Sequence, residues 1–98
     1  MAVAYFFDLS HDATVAAQVS AHISARLGSR SPEGGLFHAE GPSDTGGWWS
    51  FNVWASDEQF RAFFETYVRP AAAEAGIDPP TFRRLEVAWD TSQAPSQP

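Results

Sequence analysis

The chain has no cysteine and no lysine, and its six basic residues, all arginine, are outnumbered by twelve acidic ones. The absence of cysteine excludes disulfide frameworks, thiolate catalysis and thiolate-ligated metals. The formal net charge of −6 argues against nucleic acid or an anionic membrane surface as a partner, because both require a basic face. No apolar run approaches the roughly 20 residues that span a bilayer, and none follows a basic signal-peptide segment. We therefore expect a cytoplasmic globular protein that does not bind membranes.

Motifs that hold metal ions or cofactors are lacking as well. The three histidines, at positions 11, 22 and 38, fall on three different predicted elements without close ligand spacing, so no metal site is expected. Neither G-x-G-x-x-G nor G-x-x-x-x-G-K-[ST] is present, which disfavours nucleotide cofactors. No nucleophile elbow of the G-x-S-x-G type occurs either. We expect no cofactor.

Aromatic residues, by contrast, are abundant: four Trp, eight Phe and two Tyr make up 14 % of the 98 residues. A chain of this length forms one small domain and buries roughly 60–68 % of the surface that the unfolded chain exposes. We predict a single domain over 1–90. Residues 91–98 have too little to bury, so they are predicted to form a disordered tail.

Four segments have the apolar or alternating pattern of β-strands, and a helical pattern follows the first of them. The strands are predicted over 2–9, 36–40, 48–55 and 82–89. Apolar residues recur every four positions from Val15 to Leu27 and predict the first helix. Asp12 is placed to cap the start of that helix and Gly28 to end it.

A second helix is predicted to begin at Ser56, which has Gln59 three residues later in the spacing of a capping box. Its apolar stripe runs from Phe60 to Val68. Pro70 removes an amide donor and disfavours the α-helical region for the residue before it, so we expect a kink or break there.

The order β-α-β-β-α-β is that of the ferredoxin-like, split βαβ arrangement. It predicts an α+β fold in which two helices cover one face of a four-stranded antiparallel sheet and leave the other face bare. Alternate residues of the third strand point to opposite faces. The set predicted to lie beneath the helices is Trp49, Phe51 and Val53, and the set predicted for the bare face is Trp48, Ser50, Asn52 and Trp54.

The bare face predicts a partner. Two indoles exposed there would form an apolar patch that a soluble monomer rarely tolerates. A second copy of the same sheet is the simplest cover, so we predict a homodimer of C2 symmetry built sheet against sheet. A monomer with a ligand groove lined by Trp48 and Trp54 is the alternative.

His38 and Asn52 are the predicted catalytic residues. If position 38 pairs opposite position 50, His38 shares the face of Asn52, where it could act as general acid or base or bind a carbonyl. It could equally be a histidine hydrogen-bonded within the sheet for structural reasons. Asn52 could stabilise an oxyanion without adding a charge, or join a structural network with His38 and Ser50.

The predicted substrate-binding residues are Trp48, Ser50, Trp54, Phe6 and Asp8. Trp48 and Trp54 could clamp a planar polycyclic molecule by stacking, or fill the core of the dimer. Asp8, at the end of the first strand, could orient His38 or cap the helix that follows.

The segment over 36–76 reads F-H-x-x-G-P, a short turn, G-W, a strand, V-W-x-S and then a helix with F-x-x-F-F and a proline. This pattern resembles the dimeric α/β-barrel superfamily, in particular the small antibiotic-biosynthesis-monooxygenase-like proteins. The resemblance implies a cavity on the helix-free face of the sheet, inside each half of the barrel. Haem-degrading members have a histidine on the second helix, and residues 56–76 contain none, so we expect no haem.

The resemblance leads to three hypotheses about function. The first is a cofactor-independent monooxygenase that oxygenates an aromatic or polyketide-like small molecule in an apolar cavity. The second is a polyketide cyclase or isomerase that uses acid–base catalysis on the same scaffold. The third is a small-molecule-binding dimer without catalytic activity.

Overall fold

The elements follow one another in the predicted order in a computed structural model that describes residues 2–9, 13–44 and 46–88. The strands are β1 (Val3–Leu9), β2 (Gly35–Pro42), β3 (Trp48–Trp54) and β4 (Arg83–Glu86), and the first helix is α1 (Ala13–Leu27). The second helix consists of α2 (Asp57–Phe63), a π-helical turn (Phe64–Val68) and α3 (Arg69–Glu74). The predicted tail over 91–98 and the predicted cap at Asp12 lie outside the described residues.

The strands form one four-stranded sheet in the order β2-β3-β1-β4, and every neighbouring pair is antiparallel. The predicted ferredoxin-like α+β fold is therefore confirmed. β4 is shorter than the strand predicted over 82–89, since its ladder with β1 covers only Arg83–Glu86. β1 lies in the middle of the sheet, which agrees with its buried apolar sequence.

Both helix boundaries that the sequence predicts within the described residues are confirmed. Gly28 follows α1 with φ of 64°, a left-handed conformation that glycine adopts without strain, and its amide bonds to the carbonyl of Ser24 at 2.9 Å. Ser56 is the N-cap of α2, with an extended backbone and a side-chain oxygen that accepts from the Gln59 amide at 3.2 Å. Asp57 and Glu58 add negative charge to the first turn of α2.

Of the kink or break expected at Pro70, the break is wrong, because the second helix continues through this residue. Arg69 keeps helical dihedral angles, with φ of −60° and ψ of −46°. A proline in a regular α-helix collides with the carbonyl one turn before it and leaves that carbonyl without a donor. Here the preceding turn is π-helical over Phe64–Val68, and this wider turn relieves the conflict without ending the helix.

The core lies between β1 and the second helix. Val3, Tyr5 and Phe7 of β1 face Phe60 and Phe64, and all five side chains are buried. The rings of Tyr5 and Phe60 stack with their centroids 3.5 Å apart and an interplanar angle of 10°. Side chains of this size contribute most of the apolar burial available to a small domain.

The register of the sheet places the alternate residues of β3 on the faces opposite to those predicted. Residues directly across an antiparallel ladder share a face, and the pairs here are Val3 with Trp54, Tyr5 with Asn52, Phe7 with Ser50 and Leu9 with Trp48. The face with Trp48 and Trp54 is therefore the helix-covered one, and the prediction for both sets of β3 residues is wrong. Alternation separates the two faces of a strand, but both faces of β3 have large aromatic residues, so the pattern did not identify which one is covered.

The helix-free face is nevertheless apolar. Its aromatic and aliphatic members are Phe6, Phe37, Trp49, Phe51, Val53 and Leu85. Phe37 is 56 % exposed and Leu85 39 % exposed, and the Phe37 ring meets the edge of Phe51 with centroids 6.4 Å apart. The described part of the chain thus leaves one face of the sheet uncovered, as the topology predicts.

A polar contact joins the short edge strand β4 to the second helix. The Tyr5 hydroxyl donates to the Asp57 carboxylate, which also accepts two hydrogen bonds from Arg84 at 2.8 Å each. Burial and the neighbouring Asp57 carboxylate raise the pKa of Tyr5 to about 12. Hydrogen bonds from Arg84 and Tyr5 hold the pKa of Asp57 well below its usual range. These bonds connect β1, β4 and the start of α2.

We expect Tyr5→Phe to lower the free energy of unfolding at pH 7 by about 1.5–3 kcal/mol, the contribution of a hydrogen bond to a charged acceptor. The pKa of Tyr5 rises on folding from 10.0 to about 12, so this stabilisation is complete below pH 10 and is lost as the pH rises through about 12. Urea unfolding of both proteins between pH 7 and pH 12 measures it, with Tyr67→Phe as the control for loss of a phenol hydroxyl. An equal difference between wild type and Tyr5→Phe at every pH would contradict this role of the hydroxyl.

Candidate functional site

A cavity of about 500 Å³ lies between the sheet and the helices. Its roof is the inner side of α1, where Ala16, Val19 and Ile23 line it, and its floor is the helix-covered face of β2 and β3. α1 packs mainly against the second helix and contacts the sheet little, which leaves this space open. Most of the residues that were expected to line a cavity on the helix-free face, His38 and Asn52 among them, lie beneath the helices and line this cavity instead. The location that the resemblance implied is therefore wrong for these residues.

The pairing of β2 with β3 brings the predicted catalytic residues together. His38 lies directly opposite Asn52 rather than opposite Ser50, a difference of two residues that leaves the side chain on the same face. An irregularity between Gly35 and Phe37 shifts the register of β2 at its start. His38, Asn52, Ser50, Trp48 and Trp54 all line the cavity.

Glu40 is a site residue that the sequence reasoning missed. Its Oε2 lies 2.6 Å from His38 Nε2, while its Oε1 accepts from the Trp48 indole at 3.0 Å and from the Ser20 hydroxyl at 3.3 Å. The signal was present in the sequence: His38 and Glu40 are two positions apart on a strand, and residues at that spacing lie side by side on one face. Glu40 thereby connects β2 with β3 and with α1.

The carboxylate of Glu40 is held in its ionised form. Desolvation is the largest single influence and raises its pKa, but the hydrogen bonds from His38, Trp48 and Ser20 together outweigh it. The net effect is a pKa below the ordinary value of 4.5. At neutral pH the site therefore contains a carboxylate that can only accept hydrogen bonds.

Asn52 has a fixed orientation. The Trp54 indole, which can only donate, gives its hydrogen to Asn52 Oδ1 at 2.7 Å. The oxygen must face Trp54, so the amide nitrogen faces the other way, where it donates to Ser50 Oγ at 3.4 Å. This leaves one N–H of Asn52 and the hydroxyl hydrogen of Ser50 free to donate to a molecule in the cavity.

The floor of the cavity thus has two chemically different halves. On β2, the His38 ring can accept or release a proton beside an ionised carboxylate. On β3, the Asn52 amide and the Ser50 hydroxyl supply neutral hydrogen-bond donors. Side chains directly opposite each other across the strands have Cβ atoms about 4.5–5.5 Å apart. One small molecule can therefore contact both halves.

Trp48 and Trp54 cannot clamp one ring between them. They lie at the two ends of β3, which at 3.4 Å per residue places them about 20 Å apart along the strand. Trp54 is 3 % exposed and packs against Phe60 and Phe63 at one end of the cavity. Trp48 binds Glu40 at the other end. Each tryptophan can contact a ligand only at its own end of the cavity.

Phe6 and Asp8 do not belong to the same site as the other predicted residues. They pair across the ladder with Phe51 and Trp49, so both lie on the helix-free face of the sheet. Because successive side chains of a strand alternate, neither can reach the cavity or orient His38. The prediction that they bind substrate is wrong, because alternation along the strands did not identify which face of the sheet the helices cover.

No group of three histidine, aspartate or glutamate side chains within residues 2–9, 13–44 and 46–88 is arranged to hold a metal ion. In the same residues no helix is long and apolar enough to cross a membrane.

Several solved structures resemble this chain. A candidate antibiotic biosynthesis monooxygenase from Caulobacter crescentus is 20 % identical, with a TM-score of 0.68 over 90 % of this chain and 91 % of that one. An asparagine-to-alanine variant of SnoaB, a cofactor-independent oxygenase from Streptomyces nogalater, is 12 % identical, with a TM-score of 0.61 over 94 % and 96 %. A heme-degrading protein from Mycobacterium tuberculosis is 18 % identical, with a TM-score of 0.54 over 93 % and 99 %.

No protein-family model and no curated protein matches the chain. At identities of 12–20 % the structural likeness establishes the fold alone. The chain has the ferredoxin-like fold of the antibiotic biosynthesis monooxygenase-like proteins, as the pattern over 36–76 implied.

We expect a planar aromatic molecule to bind between the helices and the sheet. Val19→Trp places an indole in the cavity and should weaken the binding of 1-naphthol, measured by isothermal titration calorimetry, by at least about tenfold, or about 1.4 kcal/mol. Ala21→Trp is the matched control, because Ala21 is exposed on the outer side of α1. Equal affinities of the two variants would show that naphthol binds elsewhere.

Proposed function

We propose that this chain is a cofactor-independent oxygenase of an aromatic or polyketide-like small molecule. The observation that supports the proposal most is the apolar cavity whose floor combines the His38–Glu40 pair with the donors of Asn52 and Ser50. A volume of about 500 Å³ is in the range of sites for drug-sized molecules. SnoaB, which has this fold, is a cofactor-independent oxygenase.

The proposed reaction converts an acidic methylene between aromatic rings into a ketone: R₂CH₂ + O₂ → R₂C=O + H₂O. A base removes one C–H proton, and the resulting carbanion is delocalised as an enolate. Its electron pair reduces dioxygen and forms the C–O bond of a peroxide anion, R₂CH–OO⁻, which takes the proton back from the base to give the hydroperoxide R₂CH–OOH. Loss of the second C–H proton breaks the O–O bond, and hydroxide leaves with that proton as water. The substrate supplies all the electrons.

Each part of this reaction has a group on the cavity floor. His38 accepts the first proton, because its ring lines the cavity and a neutral imidazole has a nitrogen lone pair that can take one. Asn52 and Ser50 donate hydrogen bonds to the enolate oxygen as its charge develops. Trp54 holds the Asn52 amide in the donating orientation. The apolar roof on α1 contacts the rings of the substrate.

We expect the wild-type chain to consume oxygen in the presence of an anthrone, without added metal or flavin, as measured with an oxygen electrode. His38→Ala and Asn52→Ala should each lower the initial rate by at least about tenfold, the lower end of a general acid–base or oxyanion contribution. His22→Ala is the matched control, because His22 also pairs with a glutamate, Glu74, but lies on the outer surface and does not line the cavity.

The other outcomes of this experiment identify different functions. Conversion of a polyketide substrate at the same rate under nitrogen and under air would show that the chain is a cyclase or isomerase and not an oxygenase. Binding with no conversion in any atmosphere would indicate a binding protein. Rates that are the same in wild type, His38→Ala and Asn52→Ala would remove both residues from the catalytic role.

We also propose that the protein is a homodimer formed through the helix-free face of the sheet. This face is apolar and includes Phe37 and Leu85, which are exposed in the isolated chain. Soluble monomers rarely leave a continuous apolar patch of this kind in water. A second sheet packed against it would bury these side chains in a layer about 10 Å thick. The residues of this interface differ from those predicted from the sequence, although the face of the sheet is the same.

We expect Phe37→Asp to abolish the dimer, because a carboxylate in an apolar interface would lose its hydration without gaining a partner. Leu36→Asp is the matched control: Leu36 is exposed to a similar degree, 58 % against 56 %, but it falls in the register irregularity of β2, whereas Phe37 pairs with Val53 and contacts Phe51 on the helix-free face. Sedimentation equilibrium at micromolar concentration should give dimers for wild type and Leu36→Asp and monomers for Phe37→Asp. A monomeric wild type would refute the proposal.

A further inference from the structure

The two oxygens of the Glu40 carboxylate have separate partners. Oε1 accepts from Trp48 on β3 and from Ser20 on α1, at 3.0 and 3.3 Å. Oε2 faces His38 Nε2 at 2.6 Å. The carboxylate is therefore held by groups from two other elements, and the oxygen that contacts His38 has a fixed position. Three hydrogen-bond partners restrict the orientation of this carboxylate more than a single ion pair would.

The hydrogen bond determines where the proton of a neutral His38 lies. A carboxylate has no hydrogen to donate, so the nitrogen that contacts it, Nε2, must be the protonated one. The remaining nitrogen, Nδ1, then has its lone pair free. Since the ring lines the cavity, Nδ1 is the only atom of the neutral side chain that can accept a proton from a bound molecule.

We propose that Glu40 is a positioning residue that holds His38 in the tautomer with a free Nδ1, so that this nitrogen is the base of the site. The effect on turnover rests on the proposed oxygenase function, whereas the effect on the tautomer does not. Glu40 also stabilises the positive charge that the ring acquires when it accepts the substrate proton. Ser20 and Trp48 hold the carboxylate in the geometry that makes this possible.

The substitution Glu40→Gln tests the proposal sharply, because it should invert the tautomer. The Trp48 indole can only donate, so the single oxygen of the glutamine must stay with Trp48. The amide nitrogen then takes the place of Oε2 and points its hydrogens at His38 Nε2. To avoid two opposed N–H groups, the ring must move its proton to Nδ1, and the free base is lost.

Nitrogen-15 NMR of the full chain reads the tautomer directly. Spectra are recorded at a pH where the histidines are neutral, and the His38 signals are assigned by their loss in His38→Gln. We expect a protonated Nε2 in wild type and a protonated Nδ1 in Glu40→Gln. Glu74→Gln, which changes the other His–Glu pair of the described chain, is the matched control and should leave the His38 signals unchanged.

Kinetics with an anthrone and oxygen supply the second measurement. Glu40→Gln should lower kcat by about tenfold or more and change KM by less than about twofold, since it removes the base and no contact with the substrate. Glu40→Asp, which keeps an acceptor for Nε2, should recover part of the rate. Glu74→Gln should match wild type.

The two readouts distinguish this proposal from the proposed function. An inverted tautomer together with a lower kcat supports both. An inverted tautomer in a protein that consumes no oxygen supports the role of Glu40 and refutes the oxygenase. A tautomer that is the same in wild type and Glu40→Gln, or an inverted one with an unchanged kcat, overturns the assignment of Glu40.

Discussion

The pairing of β1 with β3 is the constraint on which the rest of the structure depends. β1 has buried aromatic and aliphatic residues on the side of Phe60 and Phe64, so its Val3, Tyr5 and Phe7 must face the second helix. The antiparallel ladder then carries the residues opposite them, Trp54, Asn52 and Ser50, to the same side. A shift of one residue would turn the polar line of β3 away from the helices. The position of the cavity floor is thus a consequence of the apolar residues of β1.

The space above that floor follows from the unequal sizes of residues on the two helices. The second helix fills its side of the sheet with phenylalanines that pack on β1. The residues of α1 that line the cavity include the smaller Ala16 and Val19, and α1 packs against the second helix rather than against β2 and β3. Its side chains therefore do not reach Ser50 and Asn52. Larger residues on α1 would close the space and bury those polar groups against hydrocarbon, which is unfavourable.

Most of the fold was predictable from local signals, whereas the faces of the sheet were not. The β-α-β-β-α-β order, the end of α1 at Gly28 and the cap at Ser56 depend on residues close in sequence, and all three are confirmed. Which side of β3 is covered depends on β1, some 45 residues away, and both sides of β3 have aromatic residues. The second helix continues through Pro70 because of a π-helical turn, which no pattern of residues in the sequence predicts. His38 and Asn52 share a face of the sheet as predicted, whereas the role of Glu40 depends on contacts with Trp48 of β3 and Ser20 of α1, which are distant from it in sequence.

The polar groups of the floor also limit what the cavity can bind. No buried side-chain nitrogen or oxygen in the described residues lacks a partner, so the floor satisfies its own acceptors, with Trp54 bonded to Asn52 and Trp48 to Glu40. What remains for a ligand on β3 are donors, the second amide hydrogen of Asn52 and the hydroxyl hydrogen of Ser50. A hydrocarbon would cover these donors and leave them unpaired, whereas a carbonyl or enolate oxygen would accept from them. The apolar side chains of the roof make no hydrogen bond that could select among apolar rings, so the donors of the floor would select for a molecule with an oxygen on the edge that meets β3.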